Sequence, residues 1–246
     1  SRSELPIRYF SELDVLPFER LTPDQTTTTT RLRALESLSG WKKGLSAPIV
    51  VASLTGIMQK TLDMDVFKSA SKTVFTGENV ELRSIISSCI GMGYQMENIV
   101  EMPGSVTRRG GILDVFPPCD DMPSRIELFG NEIDTIRKFH PVNQRSEGKD
   151  KSLKIIPASE VLPKLVSRLD TSRLMDSLNF DNCSSDIEGK MREDLESIID
   201  RGGIENLGFY TGFFNSSSLL DYLPSEGICV LDDEEYWAES IASITK

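Results

Sequence analysis

The apolar positions change rhythm along the chain, from a helical period near the start to a strand period beyond about residue 66. Leu32, Leu35 and Leu38 recur at helical spacing behind a threonine run. With Thr26 to Thr30 offering several capping oxygens, they predict a helix over 26–39. The longest apolar run, Pro48-Ile49-Val50-Val51-Ala52, suits a short buried strand at Ile49 to Ala52. Leu54, Ile57, Met58 and Leu62 then form a second helical stripe.

Past residue 66, Lys72 to Phe75 predict a strand and Thr76-Gly77-Glu78-Asn79 a turn. Leu82, Ile85, Ile86, Cys89 and Ile90 mark one face of a helix ended by Gly91 and Gly93. Strands are predicted at Ile99 to Glu101, Gly111 to Phe116, Ser124 to Phe129 and Glu132 to Phe139. Gly130-Asn131 joins the last two as a two-residue hairpin, because glycine accepts the positive φ its first position needs. One helix followed by consecutive strands is an α+β pattern, distinct from the α/β segments on either side. Further on, a strand is predicted at Lys154 to Pro157 and helices at Leu162 to Leu178 and Ser184 to Arg201. The second helix puts Ile187, Met191, Leu195 and Ile198 on one face and ends at Gly202-Gly203. Ile228 to Leu231 is the last predicted strand, running into Asp232-Asp233-Glu234-Glu235. The expected division is 1–65, 66–140 and 141–246, with no internal repeat.

The 246 residues are 39% hydrophobic and 26% charged, a globular balance with enough chain for one large domain or two ordinary ones. No apolar run approaches a membrane span. The start, Ser1-Arg2-Ser3, has no initiator Met and no secretory pattern, so the expectation is an excised piece of a cytoplasmic protein. Net charge is −11, concentrated in residues 170–246, which carry 5 basic and 17 acidic groups. Nucleic-acid affinity comes largely from Lys and Arg displacing counterions, so that acidic third argues against a duplex-binding surface. The four cysteines are scattered without a C-x-x-C pair and His140 is the only histidine, which leaves neither a zinc ligand set nor a histidine-based catalytic set. The expectation is no metal, no cofactor and no catalytic residue.

A phosphate-binding loop requires G-x-x-x-x-G-K-[ST]. Gly148-Lys149 and Gly189-Lys190 both lack the upstream glycine and the following hydroxyl. The strand-then-acid arrangement at Asp232 and Asp233 resembles a magnesium-holding motif, yet an acidic loop after a strand is usually a solvated connection. Arg108-Arg109-Gly110-Gly111, after the Pro103-Gly104 turn, either engages a partner's carboxylates bidentately or is a solvated turn.

Several strings then act together: Val100-Glu101-Met102-Pro103-Gly104, Arg109-Gly110-Gly111-Ile112-Leu113-Asp114-Val115-Phe116-Pro117-Pro118, and Arg125-Ile126-Glu127-Leu128-Phe129-Gly130-Asn131-Glu132. Their order and spacing closely resemble the UvrA-binding module shared by UvrB, the damage-loading helicase of bacterial nucleotide excision repair, and the transcription-repair coupling factor. The resemblance extends upstream through Leu16-Pro17-Phe18-Glu19, Thr22-Pro23 and Arg31-Leu32. Downstream it takes in Ile156-Pro157-Ala158-Ser159-Glu160, Gly203-Ile204-Glu205-Asn206 and Leu219-Leu220-Asp221-Tyr222-Leu223-Pro224.

Two departures favour the coupling-factor branch. The stretch between Glu19 and Arg31 is too short for the aromatic DNA-clamping hairpin of UvrB, and Asp232-Asp233-Glu234-Glu235 stands where UvrB has its helicase Asp-Glu-Ser-His. The resemblance implies a degenerate RecA-like scaffold, similar to UvrB domain 1, carrying an inserted α+β interaction domain. It also implies UvrA as partner, with RNA polymerase and duplex DNA engaged by other domains of a full-length ATP-dependent translocase. Arg109 matches a UvrA-contacting arginine, and the other such positions fall on Met96 and Thr107. Arg108 and Gly110 adjoin them, and Asp232 and Asp233 become a non-functional ATPase remnant. The competing reading is a fragment of a UvrB-type ATPase.

Overall fold

A computed structural model describes residues 7–13, 24–165, 175–176, 178–181, 183–201, 204, 207–232 and 237. The chain is a mixed α/β fold whose described strands form three sheets. The first is small and parallel: β1 (Ile7–Phe10) pairs with β2 (Ile49–Ala52), in register Ile7 to Ile49 and Phe10 to Ala52. Between them runs α1 (Gln25–Ser39), which buries Arg31, Leu32, Ala34 and Leu35. Its cap is Asp24 rather than the threonine run, because a capping oxygen must stand one step before the first helical turn. The Asp24 carboxylate accepts the Thr26 and Thr27 N–H groups at 2.9 and 3.2 Å, whereas Thr30 inside the helix donates its hydroxyl to the Thr27 carbonyl.

The strand expected at Ile49 to Ala52 forms but is not buried throughout. Phe10, Val50 and Ala52 pack into the core, while Ile7, Tyr9, Ile49 and Val51 stay exposed. Successive strand residues face opposite sides, and the core covers only one of them here. The helical stripe from Leu54 is shorter than expected. Helix α2 covers Leu54–Met58, and Thr61 then bridges to Ser217. Next come α3 (Met64–Ala70) and β3 (Lys72–Phe75), the latter paired antiparallel with the strand at Ser152–Ile155.

After α4 (Leu82–Gly91) the chain meanders through β4 (Gln95–Met96), β5 (Ser105–Arg109), β6 (Ile112–Val115), β7 (Ser124–Phe129), β8 (Glu132–Phe139) and β9 (Ser146–Asp150), in that spatial order. Within this six-stranded sheet only β4 and β5 are parallel. Ile85 and Cys89 of α4 pack on Val106, Leu113, Ile126 and Ile136. Burial pushes the Cys89 thiol up to about 12, so it behaves as a small apolar side chain. The Gly130-Asn131 hairpin forms with Gly130 at φ 63°, and Gly110-Gly111 makes a second with Gly110 at φ 61°.

Ile99 to Glu101 is not a strand. Val100 sits in a loop, where it buries against Phe116 and Phe139. Neither β4, β5 as a separate strand, nor β9 was anticipated; β9 is exposed along its length, so no burial pattern marks it. Strand β10 (Ser152–Ile155) lies slightly earlier than the stretch expected at Lys154 to Pro157.

The segment after β10 joins the two main cores. Tyr94 donates its hydroxyl to the Ile156 carbonyl at 2.8 Å, and Ala158 N–H donates to Met92 at the same distance. Gly93, at φ 88°, lets the chain approach Ser159, since a Cβ there would lie 2.6 Å from the Ser159 Cβ. The next residue, Glu160, pairs with Arg31 beneath the first sheet.

The helix expected over Leu162 to Leu178 is described only in part, as a 3-10 turn at Pro163–Leu165 and as helix at residues 175–176; residues 166–174 and 177 lie outside the described residues. Helix α5 (Ser185–Arg201) buries Leu195 and Ile198 against Tyr210, close to the start of α6 (Thr211–Phe214). Ile228 to Leu231 is not a strand. No described strand lies beside it, and Ile228, Val230 and Leu231 are exposed. Among the described residues no helix is long and apolar enough to cross a membrane.

Candidate partner-binding site

The site is the outward face of the six-stranded sheet at the tip of the β5–β6 hairpin. The register opposes Thr107 to Asp114, Arg108 to Leu113 and Arg109 to Ile112, and across the next pair it opposes Asp114 to Arg125. Alternation therefore puts Thr107, Arg109, Asp114 and Arg125 on one face. Val106, Leu113 and Ile126 point the other way, into the core under α4.

Asp114 is 1% exposed and carries two arginines. Arg125 donates from Nε to Oδ1 at 2.7 Å and from Nη2 to Oδ2 at 2.8 Å, a two-point fork. Its guanidinium carbon stands 4.6 Å from the Phe139 ring centroid, and it also donates to Gln144 Oε1 at 3.3 Å. The Asp114 hydrogen bonds hold the Arg125 pKa above its ordinary value, against the opposing effect of burial. Arg109 reaches Asp114 Oδ2 by Nη2 alone, at 2.6 Å, and its side chain is 54% exposed. Two cations on one carboxylate leave one surplus positive charge, displayed on the outermost of the three groups. Chemically, this arrangement offers directed N–H donors to an anion.

The residues singled out in the sequence do not all meet. Thr107, Arg109 and Gly110 share this end of the hairpin, with Thr107 only 5% exposed and so a wall more than a contact. Arg108 projects to the opposite face and donates from Nε to the Gly110 carbonyl at 3.1 Å. It borders a shallow depression with Arg83 and Asn131. Met96 is exposed, but its register partner is Val106, three residues back from Arg109 and so about 10 Å along the strand. With Ile99 and Met102 it opens on a groove of about 1180 Å³ between the α1 N-terminus and residues 158–164. Asp232 is exposed behind a segment that forms no strand, and Asp233 lies outside the described residues.

Asp114 and Arg125 were not anticipated as parts of the site. The available signal was a lone acid between Leu113 and Val115 in an otherwise apolar strand. Its meaning depends on a partner supplied by the next strand. Among the described residues no group of three His, Cys, Asp or Glu side chains is placed to hold a metal.

A family model described as the UvrB interaction domain matches residues 73–161, the stretch that holds the whole six-stranded sheet. The chain is 32% identical to a transcription-repair-coupling factor of Myxococcus xanthus over 89% of its own length and 18% of that protein. A transcription-repair-coupling factor of Bacillus subtilis is 30% identical over 76% of the chain and 17% of the relative. One from Staphylococcus aureus is 26% identical over 94% of the chain and 20% of the relative. The chain thus spans about a fifth of the length of the curated relatives it matches.

Proposed function

We propose that this relative of the transcription-repair-coupling factors, with a UvrB interaction domain at its centre, is a non-catalytic docking module that recruits UvrA to stalled transcription in nucleotide excision repair. The observation that carries the reading is the coincidence of the matched domain with a sheet whose outer face ends in a half-exposed arginine. Arg109 is the anchor, Thr107 and Gly110 shape its base, and Met96 and Arg108 lie at the margin. The surrounding α/β part is a degenerate RecA-like scaffold, a reading supported by the parallel pairing of β1 with β2 across a helix. The missing phosphate loop supports a non-catalytic role, with Asp232 and Asp233 as remnants. RNA polymerase and duplex DNA would be engaged by other parts of the longer protein, in the bacterial cytoplasm.

Specific interfaces rest on a few anchors, frequently arginine, in a near-neutral surround. Removing such an anchor from a carboxylate costs on the order of 2–4 kcal/mol where the pair is desolvated. Arg109→Glu should therefore abolish capture of UvrA in a pulldown while leaving the circular dichroism spectrum intact. Unchanged capture would reject the docking reading.

A further inference from the structure

We infer that Asp114 and Arg125 form a positioning pair, which aims the free edge of the Arg109 guanidinium at a carboxylate on the docking partner. The inference rests on the proposed docking role of Arg109 and extends it to residues that need not touch the partner.

A half-exposed arginine on a hairpin tip ordinarily samples many rotamers, and ordering it on binding costs affinity. Here the ordering is built into the free molecule. Asp114 is buried at the centre of β6, its position set by backbone pairing to both β5 and β7. The two-point fork from Arg125 occupies both of its oxygens, and Arg125 is itself fixed by Gln144 and by the Phe139 ring. A carboxylate bound so firmly is a rigid peg. Arg109 hangs on it by a single N–H of the five a guanidinium owns, so the rest of its fork remains to be used.

Charge sets the chemistry of the missing group. Without Arg125, Asp114 would cancel Arg109 and the face would offer no net attraction. With Arg125 in place the carboxylate is already neutralised, and the outer guanidinium carries the surplus charge. A planar fork with a free edge fits a carboxylate bidentately. The partner group is therefore an Asp or Glu side chain, which would extend the Arg125–Asp114–Arg109 chain by one alternating member.

The test is a double-mutant cycle on the full chain, with UvrA as probe and affinity measured by calorimetry. Arg109→Ala should weaken binding about 30-fold or more. Asp114→Asn, which keeps the shape of the side chain, should weaken it about tenfold in the native background but less than about twofold beside Arg109→Ala. A structural role for Asp114 would instead lower affinity equally in both backgrounds, and that result overturns the inference. Arg125→Lys keeps a cation against Asp114 but loses the fork, so it provides a second route if Asp114→Asn folds poorly. It should weaken binding several-fold in the native background only. Full affinity in Arg125→Lys or in a folded Asp114→Asn also overturns the positioning role while leaving the docking reading standing. Full affinity in Arg109→Ala overturns both.

Discussion

Two arginine–carboxylate sites in this chain use the same chemical pair for opposite ends. Arg31, under the first sheet, is fully buried and spends its guanidinium internally. It donates to both Glu160 oxygens at 2.6 and 2.9 Å, to the Ser11 carbonyl at 2.8 Å and to Gln59 at 3.1 Å, with the Phe10 ring 3.8 Å away. Glu160 also accepts the Thr61 hydroxyl at 2.5 Å, and its backbone carbonyl accepts from Asn215. This pair ties α1 to the Glu160 segment across 129 residues of sequence, and the Glu160 carbonyl brings in the Asn215 loop. Arg109 makes one such bond and remains half exposed. What separates the structural pair from the proposed docking group is the number of donors left over, rather than residue type or ion-pair distance.

The comparison breaks most visibly at Arg31. Arg31→Ala leaves Glu160 buried without its counter-charge, and the expected loss is about 3–5 kcal/mol in urea unfolding. Loss below about 1 kcal/mol would mean that solvent reaches the carboxylate and that the pair is no bolt.

At Arg109 the balance should invert. Asp114 keeps its Arg125 fork when Arg109 is removed, so Arg109→Ala should cost less than about 1 kcal/mol of stability even where it abolishes the proposed docking. A shift in urea midpoint comparable with that of Arg31→Ala would show Arg109 to be structural.

A third carboxylate, in the open, marks the low end of the scale. Asp221 closes a capping box at the 3-10 turn Leu219–Tyr222, accepting the Ser218 N–H at 2.7 Å and its hydroxyl at 3.0 Å. Those bonds hold its carboxyl below the usual value of 3.8. A folded-state pKa lowered in this way adds stability above pH 3.8 that disappears as pH falls through the folded value. Asp221→Asn should therefore be slightly less stable than the native chain at pH 6 and converge with it toward pH 2. Parallel acid-unfolding curves down to the lowest pH would rule out that linkage.

Much of the central domain was legible because its signals are local. The Leu82 to Ile90 stripe, the Gly130-Asn131 turn and the alternation through β6, β7 and β8 each lie within a few residues, and each became the expected element. Arg108-Arg109-Gly110-Gly111 allowed locally either a partner contact or a solvated turn, and the family resemblance is what singled out Arg109. The failures share a cause as well. Ile99 to Glu101 and Ile228 to Leu231 are rich in apolar residues, but a strand needs a neighbour to pair with, and neither segment pairs with one among the described residues. Strand β9 has no apolar pattern at all and exists through its pairing with β8.

The amino-acid order alone thus settled the Leu82 to Ile90 helix, the Gly130-Asn131 hairpin and which residues carry charge, since each depends on spacing of a few positions. Only the tertiary structure decided that Glu160 meets Arg31 and that Asp114 carries two arginines. A charged group's role depends on which donors and acceptors surround it and how far water is excluded. Those surroundings come from strands and loops distant in sequence, brought together when the sheet closes over its core.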